Sequence, residues 1–245
     1  MKKVLLICWA ALLAACGSEP PGGGLVWGSD TLSRSGANDV VALIYPVVRE
    51  GAAADSINRT LDAYLKQVFT GDSLAGTGST LAQAVDTLLA RKNRDSLTAR
   101  MPYQMHSEGS YYTRGRLTSV WIQTYAFTGG AHGLTLGKLF NFDNRTGEQL
   151  TPERLFKDTV RLGELNREAF MQSLGQRGLS PEESAAYLFV KPDELPLPEN
   201  IGFDSTGVRM LYNPYEIAAY VFGQSVYTIP YEQAEPVLRK IARGK

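Results

Sequence analysis

The chain has 245 residues, and its 25 Lys and Arg balance 25 Asp and Glu, so the formal net charge at pH 7 is zero. This balance, without a dense basic run, argues against nucleic-acid binding, which needs many Lys and Arg to neutralise phosphates. The only cysteines are Cys8 and Cys16. The rest of the chain therefore offers neither a disulfide nor a cysteine nucleophile.

Residues 1–15 have the pattern of a lipoprotein signal peptide. Two lysines precede a short apolar run, and Leu13, Ala14 and Ala15 lead into Cys16. The run is shorter than the roughly 20 residues that a membrane-spanning helix needs. We therefore expect cleavage before Cys16, lipidation of its thiol and attachment to the bacterial cell envelope. The outer membrane is favoured, and its periplasmic and surface sides are both left open.

The Pro- and Gly-rich stretch GSEPPGGG after Cys16 predicts a flexible tether over residues 16–37. Folded structure is expected from about Asn38, where NDVVALIYPVV indicates a strand. Two amphipathic helices follow, the first ended by Gly71 and the second capped by Thr80. Their apolar stripes are Ile57, Leu61, Tyr64, Leu65 and Val68 in the first, and Leu81, Val85, Leu88 and Leu89 in the second.

The middle of the chain is rich in β-forming residues. Strands are predicted near residues 101–112, 116–127 and 134–142. In the third segment, alternation predicts a core-facing side made of Leu134, Leu136, Phe140 and Phe142.

The C-terminal part begins with Thr151 as a helix cap and Pro152 at the first helical position. We then predict a third amphipathic helix, a proline-rich loop at VKPDELPLPEN, a hairpin from GVRMLYN to SVYTI, and a closing helix that Pro236 starts or kinks. The core faces of the two helices are Leu162, Leu165, Ala169 and Phe170, then Ala234, Val237, Leu238 and Ile241. This order predicts an α+β fold in which an antiparallel β-sheet packs against several amphipathic helices.

Few residue patterns indicate catalysis. His106 and His132 are the only histidines, and their spacing matches no zinc motif, so we predict no metal site and no cofactor. No GxSxG elbow is present, although a serine triad can be assembled on many folds. No pair among the 25 acidic residues is marked as a glycosidase pair. An enzyme is therefore the less favoured interpretation.

Two loop segments carry the candidate ligand-binding residues. In TGGAHG, the glycines suit a tight reversal between strands, and His132 either bonds to a backbone carbonyl or projects to a ligand. In YNPYEIAAY, Tyr212, Tyr215 and Tyr220 combine apolar area with a hydroxyl group. Tyr212 is in phase with Val208 and Met210 and favours the core, whereas Tyr215 is left open.

The stretches YAFTGGAHG, LFNFDNRTGEQLTPERLF and RMLYNPYEIAAYVFGQSVYTIPY resemble the extracytoplasmic domain of RsiV-type anti-sigma factors and the N-terminal module of PdaC-type peptidoglycan deacetylases. The resemblance implies two small α/β subdomains, at 38–110 and 111–245, and an extracytoplasmic binding module. Its motif positions are Thr128 to Gly133 and Asn213 to Glu216. No anti-sigma or deacetylase segment is recognised, so signalling and deacetylation are not implied.

Two hypotheses follow from the residues and the resemblance together. The first is a lipid-anchored, RsiV-like binding module of the envelope that recognises a lysozyme-like protein or the peptidoglycan glycan. Its candidate ligand-binding residues are Thr128, Gly130, His132, Tyr212, Asn213 and Tyr215. The alternative is a small envelope hydrolase that uses carboxylates near His132.

Overall fold

The computed structural model describes residues 24–70 and 78–244. The strands are β1 (Val26–Ser35), β2 (Asp39–Glu50), β3 (Tyr103–Arg114), β4 (Leu117–Phe127), β5 (Leu134–Asp143), β6 (Asn200–Phe203), β7 (Gly207–Tyr212) and β8 (Ser225–Pro230). The helices are α1 (Ala54–Thr70), α2 (Leu81–Arg94), α3 (Pro152–Leu155), α4 (Thr159–Gln176), α5 (Pro181–Ala185) and α6 (Tyr231–Ala234). The predictions for Cys16 and Gly71 lie outside the described residues.

The first layer is a five-stranded sheet with the order β1-β2-β3-β4-β5. Neighbouring strands are antiparallel except β2 and β3, which are parallel because α1 and α2 form the crossover between them. Ile57, Leu61 and Leu65 of α1 are buried against this sheet. Thr80 caps α2 in a capping box with Gln83, which confirms the predicted start of that helix.

The second layer is a three-stranded antiparallel sheet, β6-β7-β8, covered by α4. Its core contains Leu162, Phe170 and Met210, all inaccessible to solvent. Together the two layers confirm the α+β fold with an antiparallel-rich sheet and several amphipathic helices.

Side-chain amides join the two sheets along the outer edge of β5. Asn200 Oδ1 accepts from the Leu139 amide at 3.2 Å, and Asn141 Nδ2 donates to the Ile201 carbonyl at 2.7 Å. Ser119 Oγ donates to Asn141 Oδ1 at 2.5 Å and accepts from the Phe203 amide at 2.9 Å. We call Ser119, Asn141 and Asn200 the polar seam. All three are buried, so the seam fixes how the second sheet docks on the first.

The structure corrects the predicted boundaries in the N-terminal half. The predicted tether over 16–37 overlaps β1, whose residues Val26–Ser35 pair with β2. The predicted division at 110/111 falls inside β3, and the core under α1 draws on both sides of it, including Val41 and Val120. That position therefore does not separate two units, because the sheet runs continuously across it.

The structure also corrects predictions near the C-terminus and in β5. The closing helix is broken into α6 and two short 3-10 turns at Glu235–Val237 and Ile241–Arg243, since Pro236 lacks an amide hydrogen. The short strand β6 was not expected from the proline-rich sequence before it. Leu136 is 38% exposed, because it lies where the core under β5 ends.

A buried hydrogen-bond network holds α4 to the second sheet. The side chain of Asn166, which is 0% exposed, donates to the Tyr212 hydroxyl at 2.8 Å and accepts from the Tyr227 hydroxyl at 2.8 Å. The Tyr212 hydroxyl donates in turn to the Pro196 carbonyl. An apolar residue at 166 would leave two hydroxyl groups without these partners, which is costly in a buried site.

We predict that Asn166→Leu lowers the free energy of unfolding by about 3 kcal/mol, since it removes several bonds of one buried network. Urea denaturation monitored by circular dichroism measures the change. Gln172→Leu on the exposed side of α4 is the matched control and should shift stability by less than about 0.5 kcal/mol. A loss below about 1 kcal/mol for Asn166→Leu would contradict the assigned role.

The same tyrosines predict an alkaline loss of stability. Burial raises the pKa of Tyr212 to about 12 and also raises the pKa of Tyr227, whereas an unfolded tyrosine has a pKa of about 10. Above about pH 10 the unfolded chain releases protons that the folded chain retains, so stability falls as pH rises. Urea midpoints between about pH 9 and pH 12 should show this fall. Tyr212→Phe should flatten it, and a wild-type midpoint that does not change over this range would refute the prediction.

Candidate functional site

The two loop segments singled out in the sequence meet at one end of the molecule. The β4–β5 connection at residues 128–133 lies beside the segment between β7 and β8, and the Tyr220 hydroxyl donates to the Gly133 carbonyl at 2.6 Å. Asn213 fastens the second segment to β5, because its Oδ1 accepts from the Gly137 amide at 2.7 Å and its Nδ2 donates to the Gly137 carbonyl at 3.0 Å.

Three aromatic rings from these loops form a row that we call the aromatic ledge. The His132 ring stacks on Tyr220 with ring centroids 3.9 Å apart and planes 22° apart. Tyr220 stacks in turn on Tyr215 at 6.0 Å and 30°. Tyr215 is 55% exposed and His132 is also exposed. The ledge therefore presents aromatic surface to solvent in a fixed arrangement.

The ledge borders a shallow groove on the open face of the first sheet, which we call the sheet groove. Its cavity has a volume of about 390 Å³ and includes Ile44, His106, Glu108, Gln123 and Tyr125. The rings of His106 and Tyr125 stack across β3 and β4 with centroids 6.4 Å apart. The groove thus combines aromatic faces with carboxylate and amide groups.

Glycine is required at two positions of the β4–β5 connection for different structural reasons. Gly129 has φ +89°, in the region that disfavours side chains. Gly133 leaves room for Tyr125, since a Cβ atom there would lie 2.3 Å from the tyrosine hydroxyl oxygen. Gly133 thereby allows the ring of the sheet groove to approach the ledge closely.

Tyr215 is the one non-glycine residue with positive φ in the described part of the chain, at φ +72°. Its amide donates to the Ala218 carbonyl at 3.1 Å, which holds the turn. A left-handed conformation costs an ordinary side chain roughly 1–2 kcal/mol. Strain of this kind at an exposed tyrosine is typical of functional loops.

The six candidate ligand-binding residues lie in different environments. Thr128, Gly130, His132 and Tyr215 are exposed near one another in sequence or space, and Asn213 is a half-buried positioning residue. The prediction of Tyr212 as a ligand-binding residue is wrong, because its side chain is 1% exposed and belongs to the Asn166 network. The alternating pattern with Val208 and Met210 had already indicated the core.

The two alternatives for His132 are both compatible with its surroundings. Its Nδ1 is 3.1 Å from the Gly133 carbonyl oxygen, as the loop interpretation expected, and its ring face also forms part of the ledge. His106 and Tyr125 were not expected as site residues from the sequence. Their only signal was alternation along two neighbouring strands, which becomes informative once the strand register is known.

The described residues include no cluster of three or more His, Cys, Asp or Glu side chains suited to a metal ion. In the same ranges, 24–70 and 78–244, neither histidine forms an ion pair with a carboxylate. Glu216, in the second loop, accepts from Asn213 Nδ2 at 3.1 Å. The groups displayed here are ring faces, hydroxyls, amides and single carboxylates. None of the described helices is long and apolar enough to cross a membrane.

Comparisons with known proteins agree with this fold. Two solved structures of DUF3298 family proteins are similar. One, from Bacteroides fragilis, is 19% identical with a TM-score of 0.64 and covers 92% of this chain and 99% of that one. The other, from Pseudomonas aeruginosa, is 15% identical with a TM-score of 0.62 and covers 88% of this chain and 95% of that one. No curated protein matches the chain. Residues 153–232, which include Tyr215 and Tyr220, match the model of the family described as "Protein of unknown function (DUF3298)".

Proposed function

We propose that the chain is a lipid-anchored binding module of the bacterial envelope, and that its aromatic ledge and sheet groove bind the glycan of peptidoglycan. The observation that carries this proposal is the exposed, stacked row of His132, Tyr220 and Tyr215. Sugar rings stack their C–H faces on aromatic rings and exchange hydrogen bonds through their hydroxyl and acetamido groups. Gln123 and Glu108 in the adjoining groove offer such partners.

The anchor is the second part of the proposal. Residues 1–15 and Cys16 supply the signal and the lipidation site, and the resemblance to RsiV-type and PdaC-type proteins supports a cell-wall setting. A thioether-linked lipid would hold the folded part at a membrane, within reach of the cell wall.

A lysozyme-like protein is the second candidate ligand, and one observation favours it. Apolar side chains are exposed beside the ledge, with Phe189 60% and Val221 75% exposed. The Phe189 amide donates to the Ile217 carbonyl at 2.8 Å, so this segment is fixed next to the ledge loop. An exposed apolar patch of this kind is typical of a protein interaction surface.

The binding test uses the full chain with Cys16→Ser, which cannot be lipidated, and isothermal titration with soluble peptidoglycan fragments and, separately, with lysozyme. We expect Tyr220→Ala to weaken binding at least tenfold, because it removes the central ring of the ledge. Tyr111→Ala is the matched control, since Tyr111 is also exposed and stacked, on Trp27 at 4.8 Å. The control should change affinity less than about twofold.

Three outcomes of that test would count against the proposal. Retention of neither ligand by the wild type would remove both candidates, and equal losses in Tyr220→Ala and Tyr111→Ala would place binding elsewhere. Release of reducing ends from purified cell wall that disappears in His132→Ala would support the hydrolase alternative instead.

Tyr215 separates binding from stability. Asparagine tolerates positive φ better than tyrosine, so we expect Tyr215→Asn to keep the free energy of unfolding unchanged or raise it by up to about 1 kcal/mol. Ligand affinity should fall at the same time, because an exposed ring of the ledge is lost.

Urea denaturation and titration of the same preparation give the two readouts for Tyr215→Asn. Tyr187→Asn is the control for a partly exposed tyrosine with ordinary φ, and it should gain no stability. A clear loss of stability in Tyr215→Asn, with binding retained, would show that the ring has a packing role only.

A further inference from the structure

The opposite end of the molecule carries a concentration of positive charge. Two adjoining cavities of about 380 and 510 Å³ share Lys240. Six of the residues that line them are basic, and one, Asp143, is acidic. We call this surface the basic end, formed by Arg116, Arg154, Lys157, Arg239, Lys240 and Arg243. The chain as a whole has no net charge, so this is a local excess.

Nearby carboxylates neutralise only part of this charge. Buried Asp143 pairs with Arg116, Glu148 pairs with Arg154 at 3.2 Å, and Glu235 pairs with Arg243 at 3.5 Å. Lys157 and Lys240 are exposed and form no ion pair with any described residue. These two ammonium groups are therefore available to an anionic partner.

Backbone contacts hold the basic end in shape. Arg239 Nε donates to the Glu153 carbonyl at 2.8 Å and to the Phe156 carbonyl at 3.0 Å. The Lys157 amide donates to the Val237 carbonyl at 2.9 Å. The segment around Lys240 is thus fixed against α3, so the cations are displayed on one surface and not on a free tail.

Strand register shows where the basic end lies relative to the ledge. β4 begins with Leu117 opposite Asp143, beside the basic end, and its pairing with β5 finishes at Ala126 opposite Leu134, beside the ledge loop. The 11 residues of β4, at about 3.4 Å each, separate these two ends by roughly 34 Å.

The described chain also starts at the basic end. Val26 of β1 pairs with Glu50, the last residue of β2. Just after it, Ser56 Oγ of α1 donates to the Gly147 carbonyl at 3.2 Å, in the turn that follows Asp143. Gly24 is eight positions after Cys16, a separation that a peptide can extend to at most about 28 Å.

We propose that the basic end docks on the anionic phospholipid headgroups of the membrane that holds the chain. The charge complements lipid phosphate, and the chain leaves the domain toward Cys16 at this same end. Docking would then direct the aromatic ledge away from the membrane, toward the wall. The orientation of the docked domain rests on the lipid anchor of the proposed function. The basic end is present whether or not the chain carries that anchor.

The test measures co-sedimentation of the full chain carrying Cys16→Ser with phosphatidylcholine vesicles, with and without phosphatidylglycerol. We expect binding only to the vesicles that contain phosphatidylglycerol, and weaker binding as salt is raised. The double variant Lys157→Gln, Lys240→Gln should bind about 25-fold more weakly, at about fivefold for each cation near an anionic surface. The control Arg91→Gln, Lys191→Gln removes the same net charge outside the lining of the basic end and should bind like the wild type.

Three results would overturn the proposal. One is equal vesicle binding by both double variants, which would make the attraction a property of net charge. The second is no binding of the wild type to anionic vesicles. The third is a wild-type dimer that the Lys157→Gln, Lys240→Gln variant dissociates, which would make this end a contact between copies. Titration of peptidoglycan fragments into the same preparations keeps the proposed function separately testable.

Discussion

The structure depends on how the outer edge of β5 is satisfied. An exposed strand edge leaves unpaired amides and carbonyls that invite other strands, yet here side-chain amides from the second sheet bond to it. Asn200 bonds to Leu139 and Asn213 bonds to Gly137, one on each side of Lys138. Because asparagine carries both a donor and an acceptor, each side chain substitutes for part of a neighbouring strand. The second sheet is therefore fixed in position and register without extending the first.

This joint is also what assembles the candidate site. Asn213 is one residue beyond β7, so the bond that closes the edge of β5 also sets the start of the loop that carries Tyr215 and Tyr220. From there the Tyr220 hydroxyl reaches the Gly133 carbonyl, and His132 stacks on its ring. Loss of the joint would separate His132 from Tyr220, which lie 88 positions apart in the chain. The candidate ligand surface is thus a consequence of how the two sheets dock.

Local patterns in the sequence were sufficient for the elements that bury one face. The stripe of Ile57, Leu61 and Leu65 and the cap Thr80 correctly located α1 and α2. The strand β1 gave a weaker signal, because polar residues fill most of its positions, although Trp27 and Leu32 pack against the core. The prediction of a continuous closing helix failed for a related reason. Ala234, Val237 and Leu238 are buried as the helical spacing implied, but consecutive short turns bury them equally well.

The two ends of the molecule differ in how far sequence could identify them. The residues of the aromatic ledge could be predicted because they cluster in two glycine- and tyrosine-rich loops. The contact between those two loops could not, because it depends on how the second sheet bonds to β5. The basic end could not be predicted, because Arg116, Lys157 and the cations of the C-terminal stretch RKIAR come from three separate segments that only the fold brings together. Electrostatic attraction depends on distance in space, so balanced composition over 245 residues is compatible with a strongly polarised surface. Charge balance therefore argues against a long basic groove for nucleic acid, but it does not bear on a compact cationic patch such as the basic end.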